Sequence, residues 1–298
     1  MKRIKKTNAI MQIMLIAILL SSCKKVEPQV DNDNNVVKIA KAFSVSVDKQ
    51  VFFSKGNLQY QASTNTWRFA LNQWEVVGYD NANVSEAYEG WIDLFGWGTS
   101  GHNHGAICYQ PWSTSDISTE YYAYGENSYN LYDKTGEADW GHNLISNAEN
   151  QAVQWRTLTK EEWEYLFYFR TTDSDIRYAK AIVNGRQGMV LVPDDWNETF
   201  FNLNNVNLYN ASYSSNEILL DDWLNVFESN GAIFLPVTGF RSGTDLQKLF
   251  SFGCYWSASS KKGYPYFLLF DSNMFYANYS NSRGGCLGMS VRLVCAAE

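Results

Sequence analysis

The sequence predicts an α+β fold, in which two short helices and short antiparallel strands are joined by long ordered loops. Apolar residues recur at helical spacing in only two stretches of the chain. Elsewhere, short apolar runs alternate with Gly, Asn and Ser, which is typical of strands joined by turns. Residues 78–154 have no sustained period and are rich in Gly, Asn, Trp and Tyr, so we expect ordered loops pinned by aromatic side chains.

The first residues have the pattern of a secretion signal. Residues 1–10 carry four basic and no acidic side chains, and residues 11–20 are mostly apolar. This apolar run is about half of the roughly 20 residues that a membrane-spanning helix needs. We therefore expect residues 1–22 to be a signal peptide that is cleaved.

The segment Leu20-Ser21-Ser22-Cys23 comes next and resembles the bacterial lipobox, in which a cysteine thiol receives a diacylglycerol. The resemblance implies that Cys23 is lipidated and anchors the chain to a Gram-negative outer membrane, facing either the outside or the periplasm. The remainder of residues 23–36 is polar and aperiodic, which indicates a flexible tether. The alternative is an ordinary signal peptide followed by a chance cysteine.

The net charge and the composition of the chain indicate which kinds of binding partner to expect. The net charge of −7 becomes −11 once the four basic residues of the signal are removed. An acidic surface argues against nucleic acid, which is bound by basic patches. Residues 37–298 have the length and apolar content for one large core, and we predict no second domain. The 11 Trp and 19 Tyr residues suit either that core or a binding surface.

The first part of the domain has the pattern of a β-meander. Apolar and polar residues alternate over residues 43–47, and apolar runs follow at 51–53, 58–61 and 67–69. Residues that favour turns, such as Lys55-Gly56-Asn57, separate these runs. We therefore expect short strands that pair in sequence order.

A helix is predicted from about residue 160 to residue 170. Thr159 and Glu162 have the spacing of a capping box, in which each side chain binds the other residue's backbone N–H. Leu158 precedes this cap and is expected to pack against the helix as half of a hydrophobic staple. Four side chains then share one face of the helix: Trp163, Leu166, Phe167 and Arg170.

The C-terminal half is predicted to contain a second helix and several strands. The helix spans residues 221–229, with Asp221 and Asp222 capping its positive end and Gly231 at its stop. Apolar runs of strand length predict strands at 189–192, 233–237, 255–259, 266–270 and 291–294.

Several segments resemble a known family. Residues 155–165, W-R-T-L-T-K-E-E-W-E-Y, resemble the R-L-P-T-E-A-E-W-E-Y signature of the formylglycine-generating enzyme fold, a variant of the C-type lectin fold. Residues 255–259, Y-W-S-A-S, and 288–294, G-M-S-V-R-L-V, are similar to the ending of a group of bacterial lipoproteins that includes the Fibrobacter-type major paralogous domain. The resemblance implies that residues 37–298 form a C-type-lectin-like ligand-binding domain. Two further segments resemble the same group: residues 53–60 and 91–98.

Catalytic members of the fold supply the alternative of a metal-dependent enzyme. The resemblance implies that oxidases of this fold bind copper through two closely spaced cysteines. The cysteines of this chain do not have that spacing. Another branch of the same fold resembles iron enzymes. By that resemblance, the candidate ligands of an iron or zinc site in this chain are His102, His104 and His142. In an exported chain, four cysteines could instead form two disulfides in three connectivities: Cys108, Cys254, Cys286 and Cys295.

One loop offers oxygen ligands for a structural calcium ion, although it lacks the order of an EF-hand. No other cofactor is expected, and the pairs Asp194-Asp195 and Asp221-Asp222 are explained by a turn and a helix start. The candidate calcium ligands are Asp80, Asn81, Asn83, Glu86 and Glu89.

The segment between residues 259 and 288 is predicted to form the ligand-binding surface. It is rich in Tyr, Phe and Asn, a composition similar to that of antibody paratopes. Because strand residues alternate between faces, Phe267 and Leu269 are expected to point outward while their neighbours face the core. The predicted ligand-binding residues are Tyr264, Phe267, Leu269, Asn273, Phe275, Tyr276, Asn278, Tyr279, Asn281 and Arg283.

These observations predict a non-catalytic lipoprotein of the cell envelope that binds a protein or a glycan ligand. The resemblance extends to the variable proteins of diversity-generating retroelements, which implies a diversified ending. An imperfect repeat of the codons for residues 254–294, beside a reverse transcriptase gene, would test that implication. The alternatives are the metal-dependent enzyme and a structural or adhesion subunit without a discrete ligand.

Overall fold

The described part of the chain starts after the predicted anchor. The computed structural model describes residues 39, 41–103, 106–122, 129–133, 135–148, 154–280 and 284–297, all within a unit of residues 35–298. The predicted signal peptide, Cys23 and the whole tether of residues 23–36 therefore lie outside the described residues. No helix within the described ranges is long and apolar enough to cross a membrane.

Short strands and two short helices make the fold mixed α+β, as the sequence predicts. Helix α1 (Lys160–Glu164) continues as a π-helix over Tyr165–Phe169, and helix α2 (Leu220–Asp222) continues as a π-helix over Trp223–Glu228. The strands described are β1 (Phe43–Ser44), β2 (Gln50–Phe53), β3 (Leu58–Gln61), β4 (Thr66–Phe69), β5 (Arg156–Thr157), β6 (Tyr178–Val183), β7 (Arg186–Leu191), β8 (Glu217–Ile218), β9 (Ile233–Pro236), β10 (Phe240–Ser242), β11 (Asp245–Gln247), β12 (Gly253–Lys261), β13 (Tyr264–Phe270), β14 (Phe275–Ser280), β15 (Leu287–Gly288) and β16 (Leu293–Ala296).

The strands pair into small, mostly antiparallel sheets. The orders are β1-β2-β16-β5, β3-β4, β8-β6-β7-β9, β11-β10-β15 and β12-β13-β14, and the β6–β8 pair is parallel. Strand β16 pairs with β2 through Val294 and Phe53, so the last strand is joined to one of the first. Single 3-10 turns lie in the loops at Ala62–Thr64, Gly78–Ala82, Ile107–Tyr109, Ser118–Glu120, Trp140–His142, Tyr213–Ser215 and Gly284–Cys286.

The start of α1 is the capping box that the sequence predicts. The Thr159 hydroxyl accepts a hydrogen bond from the Glu162 backbone N–H at 3.2 Å. The Glu162 carboxylate accepts in return from the Thr159 N–H at 2.9 Å. Trp163, Leu166 and Phe167 are buried on the predicted face, so this helix is confirmed from its cap to its packing.

Replacing Thr159 with alanine is expected to lower the free energy of unfolding by about 1 kcal/mol, because the Glu162 N–H loses its acceptor. Urea denaturation of the purified domain measures the change. Thr159→Ser is the matched control, since it keeps the hydroxyl and should unfold close to the parent. Equal stability of the alanine and serine variants would show that the hydroxyl contributes nothing.

The start of α2 differs from its prediction in one respect. Leu219 is the N-cap residue, with an extended backbone and no side-chain cap. Asp221 and Asp222 lie inside the first turn, so they do not cap the helix and can only favour its positive end by charge. Gly231, with φ at 85°, follows the helix as the predicted stop.

The hairpin of β12 and β13 lies between two apolar clusters. One cluster contains Trp256, Phe267 and Leu269, and the other contains Leu268 and Phe270. Phe267 is 3% exposed and Leu269 is 7% exposed, so the expectation that they point outward is wrong. The alternation of faces is present, but core side chains cover both faces of the strand.

Candidate ligand-binding site

A concave surface lies where the π-helical end of α1 meets the turn between β13 and β14. It has a volume of about 460 Å³. Aromatic side chains form most of the lining, together with one charged residue, two amides and a methionine. We call this surface the aromatic cleft, and its lining residues are Phe167, Tyr168, Arg177, Tyr178, Asn207, Tyr209, Asn273, Met274, Phe275 and Tyr276.

The floor of the aromatic cleft is a set of stacked, buried rings. The Phe275 ring lies parallel to that of Tyr178, with centroids 5.5 Å apart, and edge-to-face against Phe167 at 4.7 Å. Phe275 is 8% exposed, so it supports the floor rather than standing free at the surface. Burial raises the pKa of the Tyr178 phenol to about 12, and its hydroxyl donates to the Asn207 carbonyl at 3.0 Å. The floor is therefore fixed by both packing and hydrogen bonding.

Three tyrosines form the rims of the aromatic cleft. Tyr168, Tyr209 and Tyr276 keep 44%, 56% and 44% of their surface exposed. The Tyr168 hydroxyl also accepts from the Ala277 backbone N–H at 3.4 Å, which ties α1 to the edge of β14. Burial raises the pKa of the Tyr168 phenol, so this group stays protonated near neutral pH. The rims thus present aromatic faces and phenol hydroxyls together.

A buried lysine joins two of the rims. The Lys180 ammonium donates to the carbonyls of Tyr209, Asp271 and Ser272, the last two at 2.6 and 3.2 Å. It also lies 5.4 Å from the centre of the Tyr213 ring. Burial lowers the pKa of this amine to about 8. One side chain in the middle of β6 therefore holds both the Tyr209 loop and the β13–β14 turn in place.

The structure brings some predicted ligand-binding residues to the aromatic cleft. Asn273, Phe275 and Tyr276 line it directly. Asn278 and Tyr279 lie further along β14 and are exposed, although the Asn278 amide donates to the Glu164 carboxylate. This part of the predicted surface therefore forms one continuous region with the cleft.

Other predicted ligand-binding residues lie elsewhere. Tyr264 begins β13 opposite Lys261, at the end of the hairpin remote from the cleft. Phe267 and Leu269 are buried in the core, so the prediction that they contact a ligand is wrong. Asn281 and Arg283 lie outside the described residues.

Several cleft residues are not among those that the sequence predicts. Tyr168 occupies the outer face of the predicted helix, where an exposed aromatic residue is a recognisable signal. Arg177 and Tyr178 stand at the start of β6, which was not predicted. The Asn184-Gly185 pair, with both φ angles positive, forms the turn between β6 and β7 and is a strong hairpin signal.

A second groove of about 660 Å³ lies at the start of α1 and has more charged residues in its lining. Arg156 donates to both carboxylate oxygens of Glu162, at 2.6 and 2.8 Å. The buried Asp139 accepts from the backbone N–H and the hydroxyl of Thr157, both at 2.9 Å, and burial raises the pKa of its carboxyl. Arg156 and Glu162 pair with each other and Asp139 is bound by Thr157, so we interpret these contacts as a network that holds the start of α1.

The candidate calcium loop is partly structural. Asn81 is buried, and its amide donates to Asp93 at 2.8 Å while its carbonyl accepts from the backbone N–H groups of Asp93 and Leu94. It is therefore not available as a calcium ligand, contrary to expectation. The remaining candidates, Asp80, Asn83, Glu86 and Glu89, have exposed side chains.

The cysteines and histidines that the sequence offers for disulfides or a metal site do not form either within the described residues. Cys108 and Cys254 carry free thiols, so the arrangement in which all four cysteines form two disulfides is absent. The Ser100 hydroxyl lies 3.2 Å from Nδ1 of His102, and His104 lies outside the described residues. Across the ranges described, no three His, Cys, Asp or Glu side chains are close enough to share a metal ion.

Comparisons with protein-family models, with curated proteins and with solved structures find no match to this chain.

Proposed function

We propose that this chain is a non-catalytic, lipid-anchored protein of the Gram-negative cell envelope that binds a protein or glycan ligand in the aromatic cleft. One observation carries the proposal: Tyr168, Tyr209 and Tyr276 remain exposed around a single concave surface whose floor is rigid. Aromatic side chains that stand in pockets supply most of the binding energy at interfaces. A fixed floor also lowers the entropic cost of binding, because less of the site has to be ordered.

We further propose that residues 37–298 adopt a variant of the C-type-lectin-like fold. Support comes from two of the segments that carry the resemblance, because they contact each other. Arg292 donates to the Lys55 carbonyl at 2.8 Å, and the Leu58 N–H donates to the Val291 carbonyl at 2.9 Å. Residues shared with a family would be retained at such a contact for structural reasons.

Lipid anchoring at Cys23 gives the first expected result. Cys23→Ser should move the protein from the membrane fraction to the soluble fraction, because the lipid is its proposed anchor. Fractionation followed by immunoblotting measures the change, and circular dichroism should show an unchanged fold. Membrane retention of a Cys23→Ser protein whose signal peptide has been removed would contradict the lipoprotein proposal.

The aromatic cleft gives the second expected result, which concerns ligand binding. A glycan array and a protein capture screen with the purified domain identify a ligand, and Tyr276→Ala is then expected to weaken its binding by about 2 kcal/mol. The same change should alter the free energy of unfolding by no more than about half a kcal/mol, because the side chain is exposed. Titration calorimetry and urea denaturation measure the two effects.

Tyr79→Ala is the matched control for Tyr276→Ala. Tyr79 is 68% exposed and packs against Phe250 rather than lining the cleft, so binding should not change. Equal weakening by both variants, or none by either, would count against the cleft as the binding site.

A further inference from the structure

Arg177 is the formally charged residue among those that line the aromatic cleft. Its Nε–H donates to the Phe167 carbonyl at 2.8 Å, which fixes the guanidinium against the end of α1. Within the described residues, its two Nη groups have no hydrogen-bond partner, and no carboxylate forms an ion pair with them. The side chain is half-buried and lines the cleft, so a guanidinium held at its Nε, with two Nη donors that have no partner among the described residues, belongs to this concave surface.

The charges around Arg177 favour an anion. Asp271, at the base of the β13–β14 turn, uses its carboxylate to accept from the N–H groups of Asn273 and Met274 at 2.7 and 2.6 Å. The Lys180 ammonium lies behind the same turn and adds positive charge. Arg177 and Lys180 carry two positive charges against the one negative charge of Asp271, so this part of an otherwise acidic chain, with a net charge of −7, would attract an anion.

The shape of the region favours a ring over an extended peptide. Strand β14 is an edge strand, the usual place where a peptide adds as a further strand. Here Tyr168 accepts the hydrogen bond of the Ala277 N–H, and Asn278 is bonded to Glu164, so α1 covers that edge. Recognition therefore falls to side chains, and aromatic faces with hydroxyl donors suit the apolar faces and hydroxyl groups of a sugar ring.

We propose that the aromatic cleft binds an acidic sugar, whose carboxylate pairs with both Nη groups of Arg177 and whose ring packs on the rim tyrosines. This inference rests on the proposed ligand-binding function and specifies its ligand class. The planar guanidinium fork matches the two oxygens of a carboxylate, which makes the contact both strong and directional. Uronic acids and sialic acids share this chemistry.

The test compares acidic probes with neutral probes of the same skeleton by titration calorimetry. One pair is a galacturonic acid tetrasaccharide and its methyl ester, and the other is sialyllactose and lactose. One acidic probe is expected to bind at least about tenfold more tightly than its neutral partner, because only it can form the charge-assisted pair. The pair that shows this difference identifies the source of the carboxylate.

Variants of two residues separate charge from shape. Arg177→Gln should weaken the acidic probe by about tenfold to a hundredfold and so remove the difference in affinity between it and its neutral partner. Asn273 lines the cleft and is exposed, so Asn273→Asp should weaken the acidic probe and Asn273→Lys should strengthen it, without loss of folding. Arg186→Gln is the control, since Arg186 lies at the other end of the β6–β7 hairpin from Arg177.

The outcomes distinguish the two levels of the proposal. Equal binding of acidic and neutral probes, both weakened by Tyr276→Ala, would overturn the acidic sugar and leave the ligand-binding function standing. Binding of an Asp-Gly repeat peptide in place of the sugars would do the same. A ligand from the screen whose affinity changes with none of these variants would overturn both. If Arg177→Gln fails to fold, the opposite effects of the two Asn273 variants still decide the question.

Discussion

Trp256→Ala is expected to lower the free energy of unfolding by about 3 to 5 kcal/mol, the cost of truncating a buried tryptophan. The side chain has no exposed surface, and its ring packs edge-to-face on Phe267 with centroids 5.6 Å apart. Its indole N–H donates to the Phe95 carbonyl at 2.6 Å, so truncation also removes one of the two hydrogen bonds of that buried carbonyl, which keeps its bond from the Met289 N–H. Urea denaturation at neutral pH measures the loss.

Two further variants control for this result. Phe267→Ala should also cost about 3 to 5 kcal/mol, because Phe267 is buried in the same cluster. Tyr279 packs against Phe267 with centroids 5.2 Å apart but keeps 37% of its surface exposed, so Tyr279→Ala should cost much less. If Phe267→Ala unfolds like the Tyr279 variant, that side of β13 does not carry the core.

Arg292→Met is the second large effect, with an expected loss of about 2 to 5 kcal/mol, because the Lys55 carbonyl and the Asn57 side-chain oxygen are left without a donor. Arg292 is fully buried and donates to the Lys55 carbonyl and the Gln73 side-chain oxygen, both at 2.8 Å, and to Asn57 at 3.3 Å. Burial lowers the pKa of its guanidinium to about 10, so the group is still charged near neutral pH. Thermal and urea unfolding measure the change.

The sign of this effect is informative because burying a charge is itself costly. Methionine removes the desolvation penalty along with the hydrogen bonds, and in some proteins the two cancel. Arg186→Met on the β6–β7 hairpin is the control, since it removes a partly exposed arginine. A variant at Arg292 that is as stable as this control would show that the buried bonds only balance the penalty.

Local signals in the sequence predict the parts of the fold that depend on neighbouring residues. The capping box at Thr159 locates the start of α1, and strand β3 has its predicted limits. The alternation over residues 43–47 predicts a longer strand than exists, because β1 ends at Ser44 and Val47 is 94% exposed in the following turn. Alternation describes which way side chains point, and tertiary packing decides whether the backbone stays paired.

The candidate site could be predicted only in part for the same reason. Tyr276 and Asn273 follow from the composition of the ending, whereas Tyr168, Tyr209 and Arg177 reach the aromatic cleft from three other segments. Strand β6 escaped prediction because a lysine stands in its middle, and only the folded chain supplies the carbonyls that accept from it. The prediction that only one face of β13 is buried is wrong, because the sequence of a single strand does not reveal that a second apolar cluster covers its other face.

The buried position of Lys180 makes the protein suitable for chemical footprinting. With its pKa lowered to about 8, more of this amine is uncharged and nucleophilic at neutral pH than is usual for a lysine. An acylating reagent nevertheless cannot reach it while the Tyr209 loop and the β13–β14 turn stay closed over it. Its rate of acylation, compared with that of the exposed Lys262, therefore reports how often these two loops separate. An occupant of the cleft would be registered as a slower reaction at a side chain that it never touches.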